Sequence, residues 1–418
     1  MKFPRIAIVF VGLSALSVTS HSVAMEDKPE TAHDGWVKRR VDKFLSDHDT
    51  GTGRGVHLGP LAPRLTILSS GSGPAPILHF WAPDLGGSPI DIHASAAYSL
   101  YKYQYYDLRV GLLPQDGTRI PRLERGTNAW FPLTDLEKMA NGTGSAAYLS
   151  ARFRDYPRED FSGIGPGTLE TDRTDFRFKD ALYEGVVRYR VGHLSLMGRG
   201  GLLKTSILSG KDTKFPNTES TFNDRTAPGL SNAPDFVHLS AGAWLERRDQ
   251  PSNPHQGIAV GLAFSRFNDR SGNAFQWNRA ALDAREYISL GSKRHVVALR
   301  QAVSLDKPDA GSRVPFYMQS TLGGSSLLRG YSSSRFHDDR LLYLSGEYRF
   351  ELRPRVELAL IYDTGKVFPT SGDFNLKDLR HSYGAGVRLK SPRKVHFRCD
   401  FMRSPEGMRV HLKLEPSF

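Results

Sequence analysis

The end of the chain alternates. Met408, Val410, Leu412, Leu414, Pro416 and Phe418 are apolar at every second position, with Arg409, His411, Lys413, Glu415 and Ser417 between them. The same period of two appears in four earlier runs. Val395, Phe397, Cys399 and Phe401 alternate with Lys394, His396, Arg398 and Asp400, and Tyr383, Ala385, Val387 and Leu389 with Ser382, Gly384, Gly386 and Arg388. Val356, Leu358, Leu360 and Tyr362 alternate with polar or small residues, as do Leu342, Leu344, Tyr348, Phe350 and Leu352. A period of two is a strand with one apolar and one polar face. Upstream, the pattern predicts strands at 64–70, 75–82, 90–99, 101–112, 145–156, 174–190, 193–204, 235–248, 256–267, 274–288 and 293–305, making sixteen in all. Residues 90–112 fit either one long strand or a hairpin. The segments 113–144, 205–234 and 306–340 are rich in Gly, Pro, Asn, Asp and Ser and read as loops, long enough for the outer face of a barrel.

Two architectures fit this alternation. A soluble sandwich turns its apolar faces inward; a membrane barrel turns them outward and lines a lumen with charge. The N-terminus favours the barrel. Lys2 and Arg5 precede an apolar run from Ile6 to Leu16, and Ser22-Val23-Ala24 supplies the small residues of a cleavage site after Ala24. The run is too short to span a bilayer as a helix. Many of the strands are long enough to cross a membrane with tilt, and the last one closes on Phe418. The expected fold is therefore all-β: a 16-stranded antiparallel transmembrane β-barrel, with a signal peptide at 1–24 and a short periplasmic lead at 25–58. In the lead, Asp34 caps an amphipathic helix through Leu45. The barrel occupies 59–418. The even strand count places both termini on one side.

Composition refines this picture. No run of eighteen apolar residues follows Ala24, and the mean hydropathy of −0.41 is compatible with strands that average apolar and polar faces. The net charge of +12 belongs, after export, to an envelope surface, so no nucleic acid is expected as a partner. Cys399 is the single cysteine, which excludes an intrachain disulfide and a cysteine-cluster metal site; it reads as a small packed side chain. Gly-x-Ser-x-Gly, His-Glu-x-x-His and Cys-x-x-Cys are absent. His337-Asp338-Asp339 has too few ligands for a metal and reads as a solvated loop. The runs around Arg152, Arg154, Tyr156 and Arg158, and around Arg188, Tyr189 and Arg190, read as interface girdles. No catalytic group, cofactor or metal is expected.

Three motifs carry a resemblance. Gly323-Gly324 followed by Leu328-Arg329-Gly330-Tyr331 resembles the inward-folded loop motif of the BamA/TamA outer-membrane assembly superfamily, also called the bacterial surface antigen family. Ser345-Gly346-Glu347-Tyr348-Arg349-Phe350 is similar to that family's next strand, and Ile361-Tyr362-Asp363-Thr364-Gly365 to the Phe-x-Asp-x-Gly strand after it, with Ile in the Phe position. Phe161-Ser162-Gly163-Ile164-Gly165-Pro166-Gly167 resembles an earlier Gly-rich signature, and Val410, Leu412, Leu414 and Phe418 a C-terminal assembly signal. The resemblance implies that the long loop folds back and docks Arg329 on the inner wall. Strand parity supplies the acceptors: with the even-numbered apolar face turned to lipid, Glu347 and Asp363 both point into the lumen. An arginine there needs carboxylates, and its planar fork suits a pair. Gly330 permits close backbone approach and Tyr331 packs against the interior.

The lead is too short for the periplasmic POTRA domains of the family's established assembly members, so the chain reads as a POTRA-less member. Three functions remain in play. The first is assistance in inserting or translocating outer-membrane proteins or lipids through the barrel seam. The second is a passive pore or structural barrel plugged by its loop, and the third is a rim-located hydrolase. Expected partners are outer-membrane lipids and lipopolysaccharide, the barrel-assembly machinery for the chain's own insertion, and a POTRA-bearing partner.

Overall fold

The computed structural model describes residues 60–114, 136, 144–272, 274–391 and 394–413. The expected signal peptide, the helix from Asp34 to Leu45, Leu414 and Phe418 lie outside the described residues. Among the described residues eighteen strands follow in order: β1 (Leu61–Ile67), β2 (Pro74–Ala82), β3 (Asp91–Tyr98), β4 (Gln104–Leu112), β5 (Ala146–Phe161), β6 (Thr174–Val191), β7 (Leu194–Ser209), β8 (Phe236–Glu246), β9 (Gly257–Asp269), β10 (Gln276–Ser289), β11 (His295–Pro308), β12 (Ser320–Leu322), β13 (Phe336–Asp338), β14 (Arg340–Arg353), β15 (Val356–Phe368), β16 (Arg380–Lys390), β17 (Val395–Ser404) and β18 (Gly407–Lys413). Sixteen form one antiparallel sheet in which each strand pairs with the next in sequence; β12 and β13 pair separately, inside the β11–β14 loop. Residues 90–112 resolve as the β3–β4 hairpin.

The period of two becomes an inverted distribution. Tyr343, Ser345, Glu347 and Arg349 of β14 are buried, while Tyr348 and Leu352 are exposed. Leu149, Leu239, Leu360 and Leu412 are each more than 60 % exposed, whereas Asp283, Asp306, Arg388 and Arg398 are wholly buried. Apolar side chains outside and charges inside are unfavourable for a protein in water. They are the stable arrangement for a barrel in hydrocarbon.

Buried charges are tolerated only in pairs. Asp180 receives Arg152 and Arg154 at 3.1 and 2.6 Å, Asp283 receives Arg285 and Arg300 at 2.8 and 2.9 Å, and Arg279 meets Asp306 at 2.5 Å. Arg152, Arg154 and Arg188 therefore belong to the lumen rather than to interface girdles, because their positions share the parity of the inward face. Only Tyr189 of those runs stands out toward lipid. Cys399 lies on the outward face of β17, half-buried, between inward Arg398 and Asp400.

Strand order also fixes which end each loop occupies. The 210–235 and 309–339 connections follow the seventh and eleventh sheet strands and share one end. β4 ends and β5 begins at the opposite end, where the chain enters β1; of the 113–145 connection between them only the ends and Leu136 are among the described residues. Loop composition marks a connection but not its end, which depends on counting every strand before it. Leu136, within that connection, is buried in the same apolar cluster as Leu328, Tyr331 and Trp244. A second lumen cluster packs Phe161, Phe176, Phe267 and Trp277 against Phe316 and Tyr317 of the 309–339 loop. That loop thus fills the interior from the end it shares with the 210–235 connection.

Candidate functional site

The 309–339 loop turns back on itself through a short stem. Ser320 pairs with Asp338 and Leu322 with Phe336. Beyond the stem, Gly323 takes φ +124°, a backbone region that L side chains avoid, and a Cβ there would stand 2.2 Å from the Ser332 carbonyl oxygen. Gly324 donates its N–H to the Tyr331 carbonyl at 3.1 Å, and Tyr331 donates to that of Leu328 at 3.1 Å. Leu328 is left-handed at φ +56° and fully buried. Together these residues make a tight bend with Arg329 at its apex.

The Arg329 side chain is buried against β14 and β15. Nε and Nη2 reach Asp363 Oδ2 and Oδ1 at 2.7 and 2.6 Å, a bidentate fork, and its own backbone N–H adds a third bond to Asp363 at 3.0 Å. Nη1 reaches Glu347 Oε1 at 2.6 Å and stands 3.6 Å from Asp400, and Nη2 also meets Ser345 Oγ at 3.1 Å. Burial disfavours the charge on Arg329, but Asp363 and Glu347 outweigh it and hold the guanidinium firmly protonated.

The acceptors are themselves ordered. Tyr343 and Ser345 donate to Asp363 Oδ1 at 3.1 and 2.7 Å; Arg349 and Arg388 donate to Glu347 Oε2 at 3.1 and 2.7 Å. The next strands clamp the loop backbone. Ser382 accepts from the Gly330 N–H at 3.1 Å, and Ser404 donates to the Gly330 carbonyl at 2.8 Å. A Cβ on Gly330 would lie 2.4 Å from that of Ser382. Gly365 sits on β15 opposite Tyr343, where a Cβ would meet the Leu342 carbonyl at 2.5 Å and Leu322 of the loop at 3.3 Å. Tyr331 is buried with its ring centroid 5.3 Å from that of Phe336.

The loop's return arm rests on the Gly-rich segment after β5. Gly165 donates its N–H to the His337 carbonyl at 2.7 Å, and the Phe161 and His337 rings stand 5.2 Å apart. Arg335 donates to the Thr168 carbonyl at 2.7 Å and pairs with Glu406 at 2.9 Å, while Arg380 reaches the Pro166 carbonyl at 2.7 Å. His337 and Asp338 are consequently buried, not solvated as the sequence suggested, because the loop folds inward. Burial and Arg335 push the His337 imidazole down to about 3, so it is neutral. Burial raises Asp338 to about 6, outweighing the hydrogen bond its carboxylate accepts from the Asp339 N–H. Among the described residues no cluster of His, Cys, Asp and Glu is arranged to hold a metal.

The last strand also touches the bend. His411 Nε2 donates to the Arg329 carbonyl at 2.6 Å, and Lys413 Nζ to Ser326 Oγ at 2.9 Å. Met408, Val410 and Leu412 face outward, toward lipid. Sequence reasoning placed Glu347 and Asp363 but missed Ser345, Ser382, Ser404, Arg349, Arg388 and His411. All share the inward parity of their strands, and Ser382 is directly opposite Asp363. Parity marks them as lumen residues without saying which height the bend reaches.

Residues 208–402 match the Omp85 superfamily domain. No curated protein matches the chain in sequence. Among solved structures, the chain is similar to BamA from Haemophilus ducreyi lacking POTRA domains 1–3, with TM-score 0.57 and 13% identity over 84% of this chain and 67% of that one. It is also similar to CdiB from Escherichia coli, with TM-score 0.48 and 13% identity over 85% of this chain and 62% of that one. CdiB from Acinetobacter baumannii gives TM-score 0.44 and 10% identity over 86% and 57%. The chain thus spans about two thirds or less of the length of these structures. The likeness to BamA establishes the barrel fold.

Proposed function

We propose that this integral outer-membrane β-barrel, carrying an Omp85 superfamily domain over residues 208–402, assists insertion or translocation of outer-membrane proteins or lipids where its first and last strands meet. The observation that carries this reading is the reach of the Arg329 bend. One buried loop is bound both to the β14–β15 wall and, through His411, to the last strand. The latch is therefore placed to govern that strand.

The two terminal strands suit a weak junction. β1 has seven residues, against eighteen in β6, so fewer ladder hydrogen bonds are available to it. Pro63 within β1 lacks an N–H, a residue tolerated at sheet edges. In this reading the site works without catalytic chemistry, in a setting of outer-membrane lipids and lipopolysaccharide. The barrel-assembly machinery inserts the chain itself, and a POTRA-bearing partner supplies capture of clients. Liposomes containing the protein should accelerate folding of a client barrel, and Arg329→Ala should abolish the acceleration.

A second reading, a plugged pore, is favoured by the way the 309–339 loop fills the lumen with Phe316, Tyr317, Leu328 and Tyr331. It predicts ion conductance that rises on release of the loop, with no effect on client folding.

A further inference from the structure

Beside the latch, the inner wall carries a row of charges that the Arg329 contacts leave unexplained. Cross-strand partners run Glu351–Glu357, Glu357–Arg388, Arg388–Arg398 and Arg398–Lys413, so five adjacent strands present Glu, Glu, Arg, Arg and Lys side by side. Like charges directly opposite each other repel. The acidic end of the row has its answer: Lys390 Nζ bridges Glu351 and Glu357 at 2.7 and 3.3 Å. At the basic end the two arginines lean on separate carboxylates, Arg388 on Glu347 and Arg398 on Asp400.

Arg388 gives Nη2 to Glu347, but that carboxylate is already shared with Arg329 and Arg349. Arg398 gives Nη2 to the Ser325 carbonyl at 3.1 Å, and its Nε stands 3.1 Å from Asp400 Oδ2. Nη1 of Arg388 and Nη1 of Arg398 are buried and meet no hydrogen-bond acceptor among the described residues. Both side chains are fully buried, so desolvation has been incurred for donors left idle. Lys413, on the terminal strand, is only partly buried and brings a third cation to the row.

We propose that Arg388, Arg398 and Lys413 form a binding site for a phosphate-type oxyanion, placed under the Ser325–Ser326 segment of the latch loop. Two guanidinium forks on neighbouring strands offer directed donors to a tetrahedral anion. The anion would relieve the Arg388–Arg398 repulsion as Lys390 relieves that of Glu351 and Glu357. Free phosphate and the phosphate of a lipid headgroup share this chemistry. The site touches the loop at Ser325 and Ser326 and the last strand at Lys413, so its occupancy would strengthen the hold of one on the other.

The test uses the full chain, purified in a phosphate-free detergent and buffer. Melting is followed with inorganic phosphate at about 20 mM against chloride of equal ionic strength, and native mass spectrometry reads retained phospholipid or lipopolysaccharide. A soluble anion is identified by a phosphate-specific rise in the midpoint of about 2 °C or more. A lipid source is identified by a stoichiometric retained lipid phosphate. In either case Arg398→Gln abolishes the signal and Arg398→Lys keeps part of it. Should Arg398→Gln fail to fold, Lys413→Gln serves in its place and weakens binding about 3- to 10-fold. The proposal is overturned if wild type shows neither signal, or if Arg398→Gln, or Lys413→Gln where it is used, retains the full signal.

Discussion

His411, on the last described strand, donates a hydrogen bond from Nε2 to the backbone carbonyl of Arg329 at 2.6 Å. The arginine whose side chain is gripped by Asp363 and Glu347 thus has its backbone gripped by the strand at the barrel's C-terminal edge. Side chain and main chain of one residue tie the centre of the wall to its end.

Arg329→Ala removes the cation paired with buried Asp363, while Glu347 keeps Arg349 and Arg388. Leaving such a charge uncompensated costs about 3–5 kcal/mol. The variant should melt well below wild type, and limited proteolysis should cut within residues 309–339, which wild type protects. Arg329→Lys should restore only part of the loss, because a lysine cannot reproduce the two-pronged contact with Asp363 while also reaching Glu347. Unchanged proteolysis in the alanine variant would show that the loop is held by other contacts.

Gly330→Ala should resemble Arg329→Ala although it removes no polar contact. The added methyl group would stand 2.4 Å from Ser382 Cβ and 2.9 Å from Ser404 Cβ, so the bend must lift from the wall. Adding Ser382→Gly should recover part of the protection. An alanine variant as protected as wild type would rule out close packing as the reason for glycine here.

Asp338 gives a pH dependence with a defined sign. Its carboxyl is raised from 3.8 to about 6, chiefly by burial. A raised carboxyl favours the folded loop when protonated, so that contribution is complete below about pH 4 and lost as pH rises through 6. Asp338→Asn should therefore melt higher than wild type at pH 7.5, and the difference should shrink toward zero near pH 4. A difference that is constant across this range would remove Asp338 from the account.

His411→Ala should leave the barrel assembled while loosening the loop's hold on β18. Hydrogen exchange at 407–413 should rise relative to β14, and His411→Gln, which keeps a donor, should recover part of the protection. Equal exchange in wild type and alanine variant would separate the latch from the terminal strand.

Much of this was legible in the chain itself. A period of two fixes which residues face the lumen, so Glu347 and Asp363 could be assigned to one wall from parity alone. The position of Ser382 opposite Asp363 depends on register, which the turns between β15 and β16 set and local pattern does not. His337 and Asp338 looked like solvated loop residues because three polar letters carry no record of the fold-back that buries them. Arg152 and Arg154 were misread because basic residues near tyrosines look alike at a membrane interface and in a lumen. Only the alternating strand around them, with Asp180 across the ladder, tells the two apart.

The most direct measurement is client folding in liposomes containing wild type, Arg329→Ala, or a Cys399→Ser chain with the loop cross-linked to β15 by an introduced cysteine pair. The account predicts that wild type accelerates folding several-fold, that Arg329→Ala loses the acceleration, and that the cross-link changes it reversibly with reductant. Equal acceleration by all three, or none by wild type together with conductance that rises when the loop is released, would contradict it.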